Sequence, residues 1–124
     1  MAKILLIDDD EDMLRLIKSI VECSGHQVSM TNGVKPALKL LSKENFSLIF
    51  LDLQMPEFTG HDFLSLYSAI HQDKNTPIVV LSSDKSEDAY NKAIAAGARD
   101  FIAKPISNKV SFLRVVEKYV EANG

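Results

Sequence analysis

Cysteine and long apolar runs are both scarce in this sequence. The one cysteine among 124 residues, Cys23, cannot form an internal disulfide, and its neighbours give it no metal-ligand spacing. We therefore expect Cys23 to be a small core or helix-end residue. The longest apolar runs, residues 4–7 and 48–51, fall far short of the roughly 20 residues that a membrane helix needs. No transmembrane segment is predicted.

Signals for export and for nucleic-acid binding are lacking too. Only four consecutive apolar residues precede the acidic residues 8–12, whereas a secretory signal has about 7–15. The 14 Lys and Arg residues against 17 Asp and Glu give a net charge of −3 with no basic block. Attraction to a phosphate backbone is therefore a poor basis for binding. We expect a cytoplasmic protein that does not bind nucleic acid directly.

Length and composition predict one globular domain over residues 1–124, since 46% of the residues are hydrophobic and 25% are charged. Five short apolar runs predict strands β1 to β5, at residues 2–7, 27–31, 46–51, 77–81 and 99–103. Near-continuous apolar runs are typical of parallel strands covered on both faces. We expect β1, β3 and β4 to form the middle of the sheet.

Segments with helical spacing separate these strands. Five helices are predicted: α1 between the N-cap Asp10 and the stop Gly25, α2 after Gly33 with Pro36 in its first turn, α3 after Gly60 and through Ile70, α4 from the N-cap Ser86 to Gly97, and α5 from the N-cap Ser107. Strands that alternate with helices imply a doubly wound α/β fold with right-handed crossovers. Ligands of such folds bind beyond the carboxyl ends of the strands.

Polar residues end four of the predicted strands. Asp8 and Asp9 end β1, Asp52 ends β3, Ser82 ends β4 and Lys104 ends β5. Each alone is more often a turn or capping residue than part of a site. Together, however, the carboxylates would repel one another unless a cation neutralised them. Hard oxygen ligands without His or Cys favour Mg²⁺, which completes its octahedron with a substrate phosphate.

A phosphoryl group is therefore the predicted ligand. A carboxylate can attack phosphorus to give an aspartyl phosphate, while metal, an ammonium and hydroxyl donors stabilise the charge on the phosphoryl oxygens. Asp52 stands alone at the end of β3 and is placed for this attack. Asp8 and Asp9 would hold the metal on the opposite side.

The motifs at these strand ends resemble those of the response regulator receiver domain of two-component signalling. They are residues 4–10 (ILLIDDD), 49–56 (IFLDLQMP) followed by Gly60, 79–82 (VVLS), 97–98 (GA) and 101–105 (FIAKP), and they cover essentially the whole chain. The resemblance implies a flavodoxin-like, chemotaxis-regulator-like (βα)₅ sandwich. Its five-stranded parallel sheet would have the order 2-1-3-4-5.

The same resemblance assigns roles in phosphorylation. Asp52 is similar to the phosphoacceptor of the family. The implied Mg²⁺ ligands are Asp8, Asp9, Asp52 and the backbone carbonyl of Gln54. The hydroxyl and the cation that engage the phosphoryl group are, by resemblance, those of Ser82 and Lys104.

Further roles concern switching and rate. Phe101 occupies the position of an aromatic residue that rotates inward behind Ser82 on phosphorylation; lacking a hydroxyl, it would differ between states by packing alone. The Lys104–Pro105 peptide is implied to be cis. Gln54 and Asp84 occupy positions that tune dephosphorylation in the family.

The resemblance implies a phosphorylation-driven switch rather than an enzyme with an outside substrate. A sensor histidine kinase or a histidine phosphotransfer protein would phosphorylate Asp52. The face formed by α4, β5 and α5 would then change its binding to a downstream protein, and we expect a monomer or a weak dimer through that face. Because the sequence stops after α5, no output domain is expected in it.

Other functions stay open. The chain is alternatively a phosphorelay intermediate, or a receiver module from a larger regulator or hybrid kinase. A Mg²⁺-dependent aspartyl-phosphate phosphatase would leave Asp52 and Lys104 without roles, and an FMN carrier would set its phosphate against the acidic residues 8–12. The intact acidic set disfavours a phosphorylation-independent interaction module. We expect no part in phosphotransfer or metal binding for His26, His61 and His71.

Overall fold

A computed structural model describes residues 2–53, 76–104, 106 and 108–123 of the chain. Its elements are β1 Lys3–Ile7, α1 Glu11–Glu22, β2 Gln27–Thr31, α2 Val34–Leu41, β3 Leu48–Asp52, β4 Ile78–Ser82, α4 Glu87–Ala95, β5 Asp100–Ala103 and α5 Lys109–Asn123. The predicted helix α3 lies outside the described residues, so the other helices keep their predicted labels. No helix in the described part is long and apolar enough to cross a membrane.

All five strands pair in parallel, in the order β2-β1-β3-β4-β5. The predicted order, and the central place of β1, β3 and β4, are therefore confirmed. Every residue of β3 and β4 is buried, as are four of the five residues of β1. This burial accounts for the near-continuous apolar runs, because a strand covered on both faces needs apolar side chains on both.

The two faces of the sheet carry separate hydrophobic cores. On one face, Leu5 and Val80 pack with the buried residues of α2 and α4. On the other, Leu6 and Phe50 pack with α1 and α5, and the ring of Phe50 stacks on that of Phe112 with centroids 5.0 Å apart. Successive side chains of a strand point to opposite faces, so each central strand contributes to both cores. Helices on both faces confirm the doubly wound architecture.

The helices begin at the capping residues that their sequences indicate. The side chain of Asp10 accepts hydrogen bonds from two backbone N–H groups in the first turn of α1, and Ser86 accepts one in α4. Both N-caps were predicted. For α5 the predicted cap, Ser107, lies outside the described residues, whereas Asn108 directly precedes the helix and accepts a 3.1 Å hydrogen bond from the N–H of Ser111. We assign the capping bond to Asn108.

Glycines follow the ends of α1 and α4. Gly25 and Gly97 have left-handed φ angles of +87° and +118°, which a residue without a Cβ adopts at little cost. The helices themselves end two or three residues earlier than these stop signals. Cys23 is the C-cap residue of α1 and is exposed, so the helix-end prediction is confirmed and the core alternative is wrong.

Candidate functional site

The carboxyl edge of the sheet collects the polar residues predicted from the strand ends. Asp8 and Asp9 directly follow β1, and Lys104 directly follows β5. Asp52 and Ser82 are the last residues of β3 and β4, one residue later than the predicted strand ends. Because the strands are parallel and adjacent, their carboxyl ends meet at one edge, and the five residues come together there.

Three carboxylates form a cluster at this edge. One oxygen from each of Asp8, Asp9 and Asp52 lies within 4.8 Å of the other two. The side chains of Asp8 and Asp52 are only 2% and 5% exposed, whereas Asp9 is exposed. Burial of a carboxylate is costly unless a partner compensates its charge, so the arrangement calls for cations.

Lys104 supplies one such cation. Its Nζ lies 2.7 Å from Oδ2 of Asp8 and 3.6 Å from Oδ1 of Asp52, and the side chain is 13% exposed. The backbone N–H of Lys104 donates to the carbonyl of Ser82 at 2.8 Å, which fixes the residue beside β4. Three carboxylates and one ammonium leave a formal excess of two negative charges, which one divalent cation would neutralise.

The orientation of Asp8 is fixed from both sides of the residue. Its backbone N–H donates to the carbonyl of Thr31 at 3.1 Å, which extends the pairing of β1 with β2 by one residue. Its Oδ1 accepts a 3.0 Å hydrogen bond from the N–H of Asp10, the N-cap of α1. The other oxygen, Oδ2, is the one that Lys104 contacts.

Ser82 is buried at the edge beside the carboxylates. Its Oγ accepts a 3.0 Å hydrogen bond from the backbone N–H of Asp84, and Oδ1 of Asp84 accepts a 2.9 Å hydrogen bond from the N–H of Ser86. The hydrogen bonds from Ser86 lower the pKa of the exposed Asp84 carboxyl. The loop after β4 is thus organised around polar contacts that begin at Ser82.

Phe101 lies on β5, between α4 and α5. Its partly buried ring meets that of Tyr90 edge to face, with centroids 5.8 Å apart. The neighbouring Asp100 accepts a 3.1 Å hydrogen bond from the hydroxyl of Tyr119 on α5. Burial, and next the charge of Asp100, raise the pKa of Tyr119. Side-chain contacts therefore join β5 to both flanking helices.

Several predicted features lie outside the described residues: Gln54, His61, His71 and the Lys104–Pro105 peptide, through Pro105. His26 is described and lies elsewhere in the fold. Its Nδ1 accepts from the N–H of Ala2 at 3.1 Å, and its Nε2 lies 2.8 Å from Oε1 of Glu117. Ala2 precedes β1, so His26 is at the opposite edge of the sheet from Asp8. The contact with Glu117 spans 91 residues and has no local sequence signal.

The chemistry of the donor set fits Mg²⁺. Within the described residues, the one group of side chains able to share a metal ion consists of Asp8, Asp9 and Asp52, all of which offer carboxylate oxygen. Hard oxygen donors suit Mg²⁺, which is held by few carboxylates and keeps positions for water and phosphate. The exposure of Asp9 leaves the cluster accessible from solvent.

Comparison with known proteins identifies the class to which this fold and acidic edge belong. The family model of the response regulator receiver domain matches residues 4–115, and the chain belongs to this family. The predicted recognition and fold are thereby confirmed. Receiver domains are phosphoryl-accepting modules of two-component signalling that bind Mg²⁺ at an acidic pocket and interact with histidine kinases and downstream effectors.

Individual relatives agree with this assignment. The sensory/regulatory protein RpfC of Xanthomonas campestris is 33% identical over 106 residues, which are 84% of this chain and 15% of RpfC. Response regulator SaeR of Staphylococcus epidermidis is 33% identical over 114 residues, which are 92% of this chain and 48% of SaeR. The receiver domain of the Francisella response regulator 1452 superposes with a TM-score of 0.91, 26% identity and full coverage of both chains. This chain thus spans half or less of the two full-length relatives.

Proposed function

We propose that this chain accepts a phosphoryl group on Asp52 in a Mg²⁺-dependent reaction, from a histidine kinase or a histidine phosphotransfer protein. The α4-β5-α5 face then changes its binding to a downstream protein. The observation that carries the proposal is the buried arrangement in which Lys104 contacts both Asp8 and Asp52, with Asp9 exposed beside them. In this proposal the chain catalyses only its own phosphorylation and dephosphorylation.

The chemical step assigns a task to each of these residues. A carboxylate oxygen of Asp52 forms a bond to phosphorus as the P–N bond to the donor imidazole breaks, and the imidazole takes the electron pair and a proton. Lys104, already 3.6 Å from Asp52, stabilises the charge on a phosphoryl oxygen. Asp8, Asp9, Asp52 and the Gln54 carbonyl would hold Mg²⁺, which would supply further neutralisation of the phosphoryl charge.

The proposed conformational switch on phosphorylation involves Ser82 and Phe101. In the proposal the buried Ser82 hydroxyl donates to the phosphoryl group, and the Phe101 ring repacks inward. Support comes from the contact of that ring with Tyr90, because a moving ring would change the surface of α4. A weak dimer through the same face is part of the proposal, as is a role for Gln54 and Asp84 in the rate of dephosphorylation. The cis Lys104–Pro105 peptide and a cytoplasmic location stay predictions.

The place of the chain in signalling has a second candidate, a phosphorelay intermediate or a receiver module of a larger regulator. The lengths of the relatives favour the receiver module of a larger regulator, since this chain matches 15% of RpfC and 48% of SaeR. All of these candidates require the same chemistry at Asp52. A phosphorelay intermediate would in addition pass the phosphoryl group on to a second histidine.

Intact-mass spectrometry after incubation with acetyl phosphate and Mg²⁺ tests the proposal. We expect the wild-type chain to gain one phosphoryl group, and Asp52→Asn to gain none. A chelator should abolish labelling of the wild type. Asp88→Asn is the matched control, since Asp88 is an exposed carboxylate that pairs with Lys92 on α4, and it should be labelled like the wild type. Labelling that survives in Asp52→Asn would contradict the assignment of the acceptor.

A further inference from the structure

Three hydrogen bonds connect Ser82 to the first turn of α4. The N–H of Asp84 donates to Oγ of Ser82 at 3.0 Å, the N–H of Ser86 donates to Oδ1 of Asp84 at 2.9 Å, and the N–H of Ala89 donates to Oγ of Ser86 at 3.1 Å. We call these three bonds the Ser82–Ala89 ladder. The acceptors are the side chains of Ser82, Asp84 and Ser86, which are two residues apart. Each of the two successive turns of the loop therefore shares a residue with the bond that follows it.

Asp84 is the central member of the ladder. Its backbone N–H engages Ser82, while its carboxylate holds the turn that presents this N–H. The Asp84 carboxyl is ionised at neutral pH, as an aspartate ordinarily is, and the hydrogen bonds from Ser86 lower its pKa further. Hydrogen bonds to ionised acceptors are the stronger kind. One backbone turn thus joins the exposed Asp84 carboxylate to the buried Ser82 hydroxyl.

The consequence for Ser82 follows from its hydrogen-bonding capacity. A serine hydroxyl has one proton to donate and two lone pairs to accept with. Because the N–H of Asp84 occupies a lone pair, the position of Oγ is set and its proton is directed away from Asp84. Ser82 is the last residue of β4, beside Asp52 at the end of β3, so the phosphoryl group would lie within its reach.

We propose that Asp84 is a positioning residue: through the turn that it forms with Ser86, it holds the Ser82 hydroxyl in the orientation that donates to the phosphoryl group. The inference rests on the proposed function, because it needs Asp52 as acceptor and Ser82 as donor. It goes beyond a direct effect of the Asp84 side chain on dephosphorylation, since here Asp84 acts only through Ser82.

A double-mutant cycle on the labelling rate tests this route. With acetyl phosphate and Mg²⁺, we expect Asp84→Ala to lower the initial rate at Asp52 about fivefold, the effect of one lost hydrogen bond. In a Ser82→Ala background the same change should have no further effect, because the group being positioned is gone. Asp84→Asn, which retains an Oδ1 acceptor, should restore most of the rate.

Asp88→Ala is the matched control. It removes an exposed carboxylate on α4 that pairs with Lys92 and belongs to no bond of the Ser82–Ala89 ladder, so it should leave the labelling rate within about twofold. Effects of Asp84→Ala and Ser82→Ala that multiply would overturn the inference while leaving the proposed function intact. So would a fivefold loss in Asp88→Ala. A wild type that takes up no phosphoryl group would overturn both.

Discussion

Replacing Lys104 with methionine should destabilise the fold by about 3 kcal/mol. Methionine keeps much of the apolar stem and removes the charge. In the wild type, Nζ of Lys104 lies 2.7 Å from the nearest oxygen of Asp8 and 3.6 Å from that of Asp52, and all three side chains are largely buried. The variant would leave two buried carboxylates without this cation.

The magnitude follows from these distances. At an effective dielectric constant of about 20, they correspond to attractions of about 6 and about 5 kcal/mol. Desolvation of the ammonium offsets several kcal/mol of this, and removal of one member of a buried ion pair costs about 3–5 kcal/mol in practice. Because Asp9 beside the pair is exposed, water reaches this edge, so we expect the lower end of that range.

Urea unfolding followed by circular dichroism, in buffer free of divalent ions, measures the effect. For a slope of about 2 kcal/mol per molar, a loss of 3 kcal/mol lowers the midpoint by about 1.5 M. Lys92→Met is the matched control, because the Lys92 side chain is 66% exposed and its pair with Asp88 should contribute less than about 1 kcal/mol. Added Mg²⁺ should narrow the Lys104→Met deficit, because without the ammonium the acidic cluster carries one more uncompensated negative charge and should bind the cation more tightly than in the wild type. Equal midpoints for the two variants would refute the reasoning.

Further changes test other parts of the structure. Asp10→Ala should lower the free energy of unfolding in urea by about 1 kcal/mol, because α1 loses its cap. Asp10→Ser should keep most of the wild-type stability, since serine is also a good capping residue; equal losses in the two variants would argue against the cap. Tyr119→Phe loses the bond to Asp100 and should cost about 1 kcal/mol. Burial raises the pKa of Tyr119, so the contribution of its hydroxyl to folding stability is complete below pH about 10 and is lost as the pH rises through the folded pKa. The difference in free energy of unfolding between Tyr119→Phe and the wild type should therefore become smaller above pH about 10. Phe112→Ala removes the ring stacked on Phe50 and should cost about 4 kcal/mol in thermal unfolding.

The fold was predictable because its central strands must be apolar on both faces. Short continuous apolar runs such as residues 4–7 and 78–81 are typical of buried parallel strands, and two of the intervening helices have recognisable N-caps, Asp10 and Ser86. The carboxyl ends of β3 and β4 were predicted one residue too early. Asp52 and Ser82 belong to the sheet although they are polar, because their backbones continue the parallel pairing that the apolar residues begin.

Within the site, the sequence predicted which residues meet but not how they pair. Asp8 and Asp9 are the same residue type, yet one is buried against Lys104 and the other is exposed. The difference arises where the sheet pairing ends, since the N–H of Asp8 still bonds to Thr31 of the neighbouring strand. Residue type alone does not indicate where that boundary lies.

Contacts between segments that are distant in the chain could not be predicted from local sequence patterns. His26 joins Ala2 to Glu117 on α5, a relation that depends on how helix and sheet pack rather than on any spacing. The start of α5 shows the same limit on a smaller scale, because Ser107 and Asn108 are both good capping residues. Their order in the chain does not say which one faces the free N–H groups.

The exposed thiol at the end of α1 makes this protein convenient to follow by spectroscopy. Cys23 is the sole cysteine of the chain, and it lies shortly before the first residue of β2, at the far side of the sheet from the aspartates. A maleimide dye or spin label would therefore attach at one defined point, well away from Asp52. Distances to a second probe engineered on α4 or α5 would then report conformational change without disturbing the chemistry.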